Sequence, residues 1–320
     1  MRRGLVIAGT LLAGGALAVA LGSHRPVNVD APAPALPDDL DAHLAAAESR
    51  FGDLRPGTEK HIVWAEASRA RTAVSVVYLH GFSATRQEVA PLPDTVAARL
   101  GANLYYARLA GHGRSGKALG TVRAEDWIAD AREALAVGRR LGERVIVMGT
   151  STGATLATWL AAQPDAGDLA ALVLISPNFH PKDAGARMLL WPWGEQLARV
   201  VVGPEHTWEP KNAEQARFWT TRYPVRALVQ MMRLVALVEG TDLGVVTVPT
   251  LVVYSPKDSV VDAARIAARF SEYGAETKQL VAIDTSGDAS NHVLAGRILS
   301  PAMTIPLADT MTAFLAPHVR

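Results

Sequence analysis

The segment Gly149-Thr150-Ser151-Thr152-Gly153 lies between an apolar, β-branched run, Arg144 to Met148, and a helix-forming run, Ala154 to Ala162. The two glycines lack Cβ atoms, so a chain passing from strand to helix here can make a strained, close-packed turn that lifts the Ser151 hydroxyl clear of the sheet edge. A free hydroxyl is a poor nucleophile at neutral pH. It needs an imidazole to take its proton and a carboxylate to orient that imidazole and stabilise its charge. Two downstream segments supply such groups. Thr250 to Tyr254 reads as a buried strand and ends in the turn Ser255-Pro256-Lys257-Asp258, which carries a carboxylate. Thr277 to Ile283 reads as another strand, and the polar stretch Asp284 to Asn291 leads from it to His292. Upstream, the apolar run Val74 to Leu79 ends in His80-Gly81-Phe82-Ser83.

These motifs, together with Gly111-His112-Gly113-Arg114-Ser115, carry a resemblance to the carboxylesterase and monoacylglycerol-lipase-like branch of the α/β-hydrolases, from about Phe51 to the C-terminus. That superfamily carries its serine on a G-x-S-x-G elbow and uses the chain order Ser, Asp, His. The resemblance implies that Ser151 is the nucleophile, His292 its base and Asp258 the acid, with the backbone N–H groups of Phe82 and Thr152 as the oxyanion hole. It implies hydrolysis of a carboxylic ester, an acyl ester or monoacylglycerol-like lipid, through an acyl-enzyme and without a cofactor. The elbow departs from many relatives, which carry His before the serine and a large apolar residue after it; here Thr150 and Thr152 flank Ser151.

Rivals exist for two of the roles. Asp262, Asp284 and Asp288 compete with Asp258. Asp262 is expected to interact with the N-terminus of the following helix, where a carboxylate is favoured. Asp284 and Asp288 lie too near His292 to form the separate acid loop that the fold uses, and Ser176-Pro177-Asn178, where some relatives place the acid, has none. His80 and His112 compete with His292 but are expected to brace the HG turn and the Gly-rich loop. No His or carboxylate set has ligand spacing, so no metal is implied.

The rest of the chain suits one catalytic domain. Expected elements are a helix over Asp39 to Arg50, a strand over His61 to Glu66, a helix over Arg86 to Leu100 disturbed by Pro91 and Pro93, a strand over Asn103 to Ala107, a Gly-rich loop to Gly120, a helix over Ala124 to Leu141 and a strand over Leu169 to Ile175. Such alternation predicts an α/β fold, a mostly parallel central sheet flanked by helices. From about 177 to 248 the alternation stops and the sequence is mainly helical in character. It holds Trp191, Trp193, Trp208 and Trp219, four of the seven tryptophans. The insertion resembles the helical cap that this superfamily places before the acid-bearing strand; its tryptophans either line a pocket or pack the cap on the core. A formal charge of +1 and the absence of a basic stripe give no reason to expect nucleic acid, and the absence of cysteine excludes disulfides, thiolate metal sites and a Cys nucleophile.

At the N-terminus, Met1-Arg2-Arg3 precedes an uncharged apolar stretch from Gly4 to Gly22. That length approaches the ~20 residues that span a bilayer, and Ala18-Val19-Ala20 offers a cleavage site, so residues 1–22 are expected to be a signal anchor or a cleaved signal peptide. Residues 23–45, rich in Pro and Ala, are expected to be a tether, and 46–320 the catalytic domain. The protein is then expected in the cell envelope, anchored to the membrane and facing outward, or exported if the segment is cleaved. Thioester hydrolysis or acyl transfer on the same triad, and a non-catalytic envelope-anchored binding protein, are the competing functions.

Overall fold

The computed structural model describes residue 22, residues 26–30 and residues 32–319. The apolar N-terminal segment therefore lies outside the described residues apart from Gly22. Among the described residues no helix is long and apolar enough to cross a membrane.

An irregular strand-free segment leads into α1 (Leu40–Glu48), β1 (His61–Val63), β2 (Thr72–Leu79), α2 (Leu92–Leu100), β3 (Asn103–Tyr106), α3 (Gly116–Thr121), α4 (Ala124–Leu141), β4 (Gly142–Thr150), α5 (Thr152–Ala161) and β5 (Leu169–Ile175). The cap follows, with a 3-10 segment at Ala184–Leu190, α6 (Gly194–Val201), β6 (Glu205–Thr207), α7 (Ala213–Phe218), β7 (Arg222–Pro224) and α8 (Val225–Glu239). The chain then returns as β8 (Thr250–Tyr254), α9 (Ala263–Ser271), β9 (Lys278–Ala282) and α10 (Thr304–Leu315).

Seven strands form the central sheet in the order β1-β3-β2-β4-β5-β8-β9. Only β1 pairs antiparallel; every other pair is parallel, as the alternation of strands and helices predicts. Both faces are covered, so the central strands are buried throughout and successive side chains enter opposite layers. Val77 and Leu79 of β2, with Val145 and Val147 of β4, pack against α4 and α5 through Trp127, Ile128 and Leu156. Val76 and Tyr78, with Ile146 and Met148, enter the other layer with Leu92 and Val96 of α2 and Met311 of α10.

Four local expectations change. The region before Gly120 contains α3, because the Ser115 side chain caps it by accepting from Ala118 N–H. The expected helix over Arg86 to Leu100 divides into a 3-10 turn at Arg86–Glu88 and α2, since Pro91 and Pro93 lack the N–H groups a continuous helix needs. The strand from His61 ends at Val63 rather than running to Glu66, and beyond it Ala65 N–H donates to the Asn103 side chain instead of the β3 backbone. Residues 26–30 and 32–38 are not a free tether. Val27, Val29 and Leu36 pack on the core, and α1, which begins inside the expected tether, buries Leu40 and Leu44.

Candidate active site

The sheet register brings the motifs together. Leu79 pairs with Gly149 and Ile175 with Thr150, so the loops after β2, β4 and β5 leave the same edge of the sheet side by side. Open parallel sheets bind ligands outside these carboxyl ends. Ser151 has φ +53° and ψ −116°, a conformation that costs a non-glycine residue about 1–3 kcal/mol and is over-determined by its surroundings. A Cβ on Gly153 would lie 2.0 Å from Leu79 O, so only glycine allows α5 to approach β2 this closely and hold the turn. Ser151 N–H donates to Ile175 O at 2.9 Å.

Asp258 follows β8 in a turn closed by its own N–H to Ser255 O, and the side chain is buried. Asp258 Oδ2 lies 2.8 Å from His292 Nδ1, while Oδ1 accepts from the N–H groups of Val260 and Val261 at 2.8 and 3.0 Å. A carboxylate only accepts, so Nδ1 carries the proton and Nε2 is left as a base. Burial disfavours the imidazolium, but the bond and charge of Asp258 outweigh it, and the net shift of the His292 pKa is upward. Ser151 and His292 line the same cavity.

The rival residues go elsewhere. Asp262 is the N-cap of α9, accepting from the N–H groups of Ala264 and Arg265. Asp284 is exposed and pairs with Lys257 at 2.8 Å. His80 is buried between backbone groups: its Nδ1 faces Gly81 O at 2.9 Å and its Nε2 accepts from Leu109 N–H at 3.1 Å. Burial drives its pKa down to about 4, which keeps it neutral. His112 Nδ1 faces Ala110 O, and burial holds the ring well below its ordinary pKa. Both histidines brace loops.

Phe82 follows Gly81 in the loop after β2, where a Cβ added to Gly81 would lie 3.2 Å from the Ser151 Cβ; the HG turn therefore abuts the elbow. Thr152 opens α5, and its N–H is among the first donors of a helix, which have no intrahelical acceptor.

Several groups around the site escaped the sequence reading. Glu88 is fully enclosed; its Oε1 accepts from Gly81 N–H at 2.6 Å and from the Tyr78 hydroxyl at 2.7 Å, and that hydroxyl lies 2.9 Å from Thr150 Oγ1. A buried polar chain thus joins the HG loop to the residue before Ser151. The sequence marks Asp288 only as a rival acid. Its carboxylate instead accepts from the N–H groups of Ser290, His292 and Val293 and pairs with Lys211 from the cap. Burial works against the charge of Asp288, but the Lys211 and Ser290 bonds prevail and hold its pKa at about 2. Ser176 Oγ donates to His292 O at 2.8 Å. Glu88 stands directly after Arg86 and Gln87, so nothing in the sequence marks its carboxylate as buried. Nothing in the spacing marks Ser176 or Lys211.

The cavity has a volume of about 810 Å³, within the range of small-molecule sites. Its wall is mostly apolar, with Phe82, Trp208, Trp219, Tyr223 and Met231 facing Ser151 and His292. Trp191 and Trp193 are instead exposed on the outside of the cap. Among the described residues no group of His and carboxylate side chains could hold a metal ion.

The family described as serine aminopeptidase, S33 (Hydrolase_4) matches residues 70–286. The chain is 26% identical over 215 residues, 67% of its own length and 82% of the other protein, to the thermostable monoacylglycerol lipase of Bacillus sp. (strain H-257). Among solved structures it is similar to one described with LipS and LipT, two metagenome-derived lipolytic enzymes, at a TM-score of 0.68 and 21% identity, covering 83% of this chain and 100% of that one. It is also similar to a soluble variant of monoglyceride lipase from Saccharomyces cerevisiae, at a TM-score of 0.62 and 13% identity, covering 81% of this chain and 91% of that one.

Proposed function

We propose a mechanism and substrate class for this chain, which belongs to the serine aminopeptidase S33 family and is a serine hydrolase of the lipase and esterase type. Ser151 attacks the carbonyl of a carboxylic ester, His292 takes its proton and passes it to the leaving alcohol, and Asp258 keeps His292 in the productive tautomer. The N–H groups of Phe82 and Thr152 hold the oxyanion; a single such donor is typically worth about 3 kcal/mol of transition-state stabilisation. Water then releases the acyl group from Ser151. The observation that carries the reading is the cavity, which sets a strained serine and an Asp-paired histidine against one apolar wall.

An apolar wall of this size suits an acyl chain, so the substrate is an acyl ester or a monoacylglycerol-like lipid. The monoacylglycerol and monoglyceride lipases similar to this chain support that choice. The apolar N-terminal segment supports an envelope location, with the enzyme anchored to a membrane or exported.

Labelling with a fluorophosphonate tests the nucleophile: the wild type is labelled and Ser151→Ala is not. Asp258→Asn lowers turnover of a nitrophenyl ester about 10⁴-fold, because the wrong imidazole tautomer is favoured. Asp262→Asn loses far less, since Asp262 caps α9. Turnover falls as the pH drops through the His292 pKa, which lies above the ordinary imidazole value. Equal losses for the two Asp variants would remove Asp258 from the acid role.

A further inference from the structure

Large apolar side chains collect on one outer face of the cap. Of those exposed among the described residues, all but Val245, Val260 and Ile305 lie between Met188 and Val202. Helix α6 shows the pattern most clearly. Leu197, Ala198, Val200 and Val201 fall on one side of it, at the spacing of an amphipathic stripe, while Glu195 and Arg199 pair at 2.6 Å on the other. Val200 is 84% exposed and Val201 72%. An apolar stripe left bare in this way marks a surface that meets another apolar body.

Two observations identify that body. First, the patch is the rim of the cavity: Met188, Leu197, Val201 and Val202 line the cavity and are also exposed outside, so it opens through this face. Second, Gly22 O accepts from Trp193 N–H at 3.1 Å, and a Cβ on Gly22 would lie 2.4 Å from Trp193 Nε1, so the backbone at Gly22 is pressed against the indole that adjoins α6. Gly22 ends the uncharged apolar stretch that begins at Gly4, whose length approaches the ~20 residues that span a bilayer. That stretch therefore joins the fold beside the exposed face.

We propose that the exposed face of α6 docks on the lipid bilayer that the segment Gly4 to Gly22 enters, so that the cavity mouth rests on the membrane and an acyl ester passes from the lipid into the site. The delivery step rests on the ester-hydrolase reading above and on its membrane-anchored form; the docking itself does not depend on the ester chemistry. Docking of this kind draws on apolar contact. The pairing of Glu195 with Arg199 leaves the polar side of α6 without net charge, so zwitterionic lipid suffices.

The chain has no cysteine, so Val200→Cys in the full chain takes a single thiol-linked nitrobenzoxadiazole label. In phosphatidylcholine vesicles the emission of that label shifts to the blue and is quenched by lipid carrying a doxyl group. The same label at Ile305→Cys, a position 53% exposed on α10, stays as in water. A Val200 label that stays as in water overturns the proposal. So does one shielded from water but not quenched, since protein would then cover the face, either the chain's own apolar segment or a second copy. Val200→Asp supplies the functional arm, because Val200 lies on the patch outside the cavity wall. With this variant kcat/KM for soluble nitrophenyl butyrate is unchanged, and hydrolysis of monooleoylglycerol held in the same vesicles falls about tenfold, the effect of keeping one valine out of the lipid. An undiminished rate on the vesicles, or an equal loss on both esters, overturns the proposal. Hydrolysis of neither ester by the wild type would remove the ester-hydrolase reading, and the label alone would then decide whether the face docks.

Discussion

Glu88 is enclosed by groups that offer it two hydrogen bonds, with the His292 imidazole nearby. Burial pushes its carboxyl up to about 7, against the pull of the Tyr78 hydroxyl, the Gly81 N–H and the nearby His292 charge. Its folded pKa lies above the ordinary value of 4.5, so the folded state binds more protons than the unfolded state between those values. The stability this group contributes is present below pH 4.5 and is lost as the pH rises through about 7. Thermal melts should therefore show Glu88→Gln losing less Tm than the wild type between pH 4.5 and 7, and exceeding it at pH 8. Asp130, raised to about 6 by burial, falls in the same direction and remains in both proteins, so the difference isolates Glu88. Parallel curves would mean that Glu88 does not titrate in this range.

At the level of elements, the cap joins both the substrate wall and the loop that carries His292. The antiparallel ribbon of β6 and β7 pairs His206 with Tyr223, and both line the cavity. Lys211 reaches from the cap to Asp288, whose carboxylate gathers the backbone before and at His292. The sequence treats Trp191 and Trp208 alike, but the fold separates them: Trp208 faces the cavity and Trp191 is 56% exposed on the outer surface. Trp208→Ala should lower kcat/KM for a long-chain nitrophenyl ester by roughly tenfold more than for the acetate. Apolar contact is worth roughly 25 cal/mol per Å², and only a long chain reaches the ring. Trp191→Ala should change both esters equally. A chain-length series on the two variants decides this, and a uniform loss from Trp208→Ala would make that ring part of the packing alone.

Across the whole molecule, the segment before α1 is a strap rather than a leash. Arg233 donates to Pro26 O, Arg132 to Val29 O, and Arg140 to the carbonyls of Leu36 and Pro37, so guanidinium groups of α4 and α8 hold a backbone that has no strand partner among the described residues. At its upper end, Trp193 N–H of the cap donates to Gly22 O at 3.1 Å. A chain that begins at Asp39 should melt several degrees below one that begins at Pro26, because it uncovers apolar surface on α4 and leaves these arginines without their carbonyls. A loss of about 1 kcal/mol shifts Tm by roughly 2–4 °C in a domain of this size. Differential scanning calorimetry on the two chains measures the gap, and equal Tm values would show that the strap adds nothing to stability.

What the sequence determined by itself was local or ordered along the chain. β5 and β8 fall on the residues expected, and α4 on its full span, because buried parallel strands and an amphipathic helix carry their own periodicity. The pairing of Asp258 with His292 was legible because chain order and turn chemistry distinguish Asp258 from Asp262, Asp284 and Asp288. Everything that depends on which distant segments meet was decided by the tertiary structure. Asp288 and Ser176 hold the backbone of His292, Glu88 holds the HG turn, and residues 26–30 and 32–38 lie along α4 and α8. These contacts join segments whose spacing carries no period, and a Pro- and Ala-rich stretch reads as a linker whether or not arginines wait on the surface it crosses. The exposure of Trp191 and the burial of Asn178 have the same cause: each lies in a loop whose direction is set by what the cap packs against.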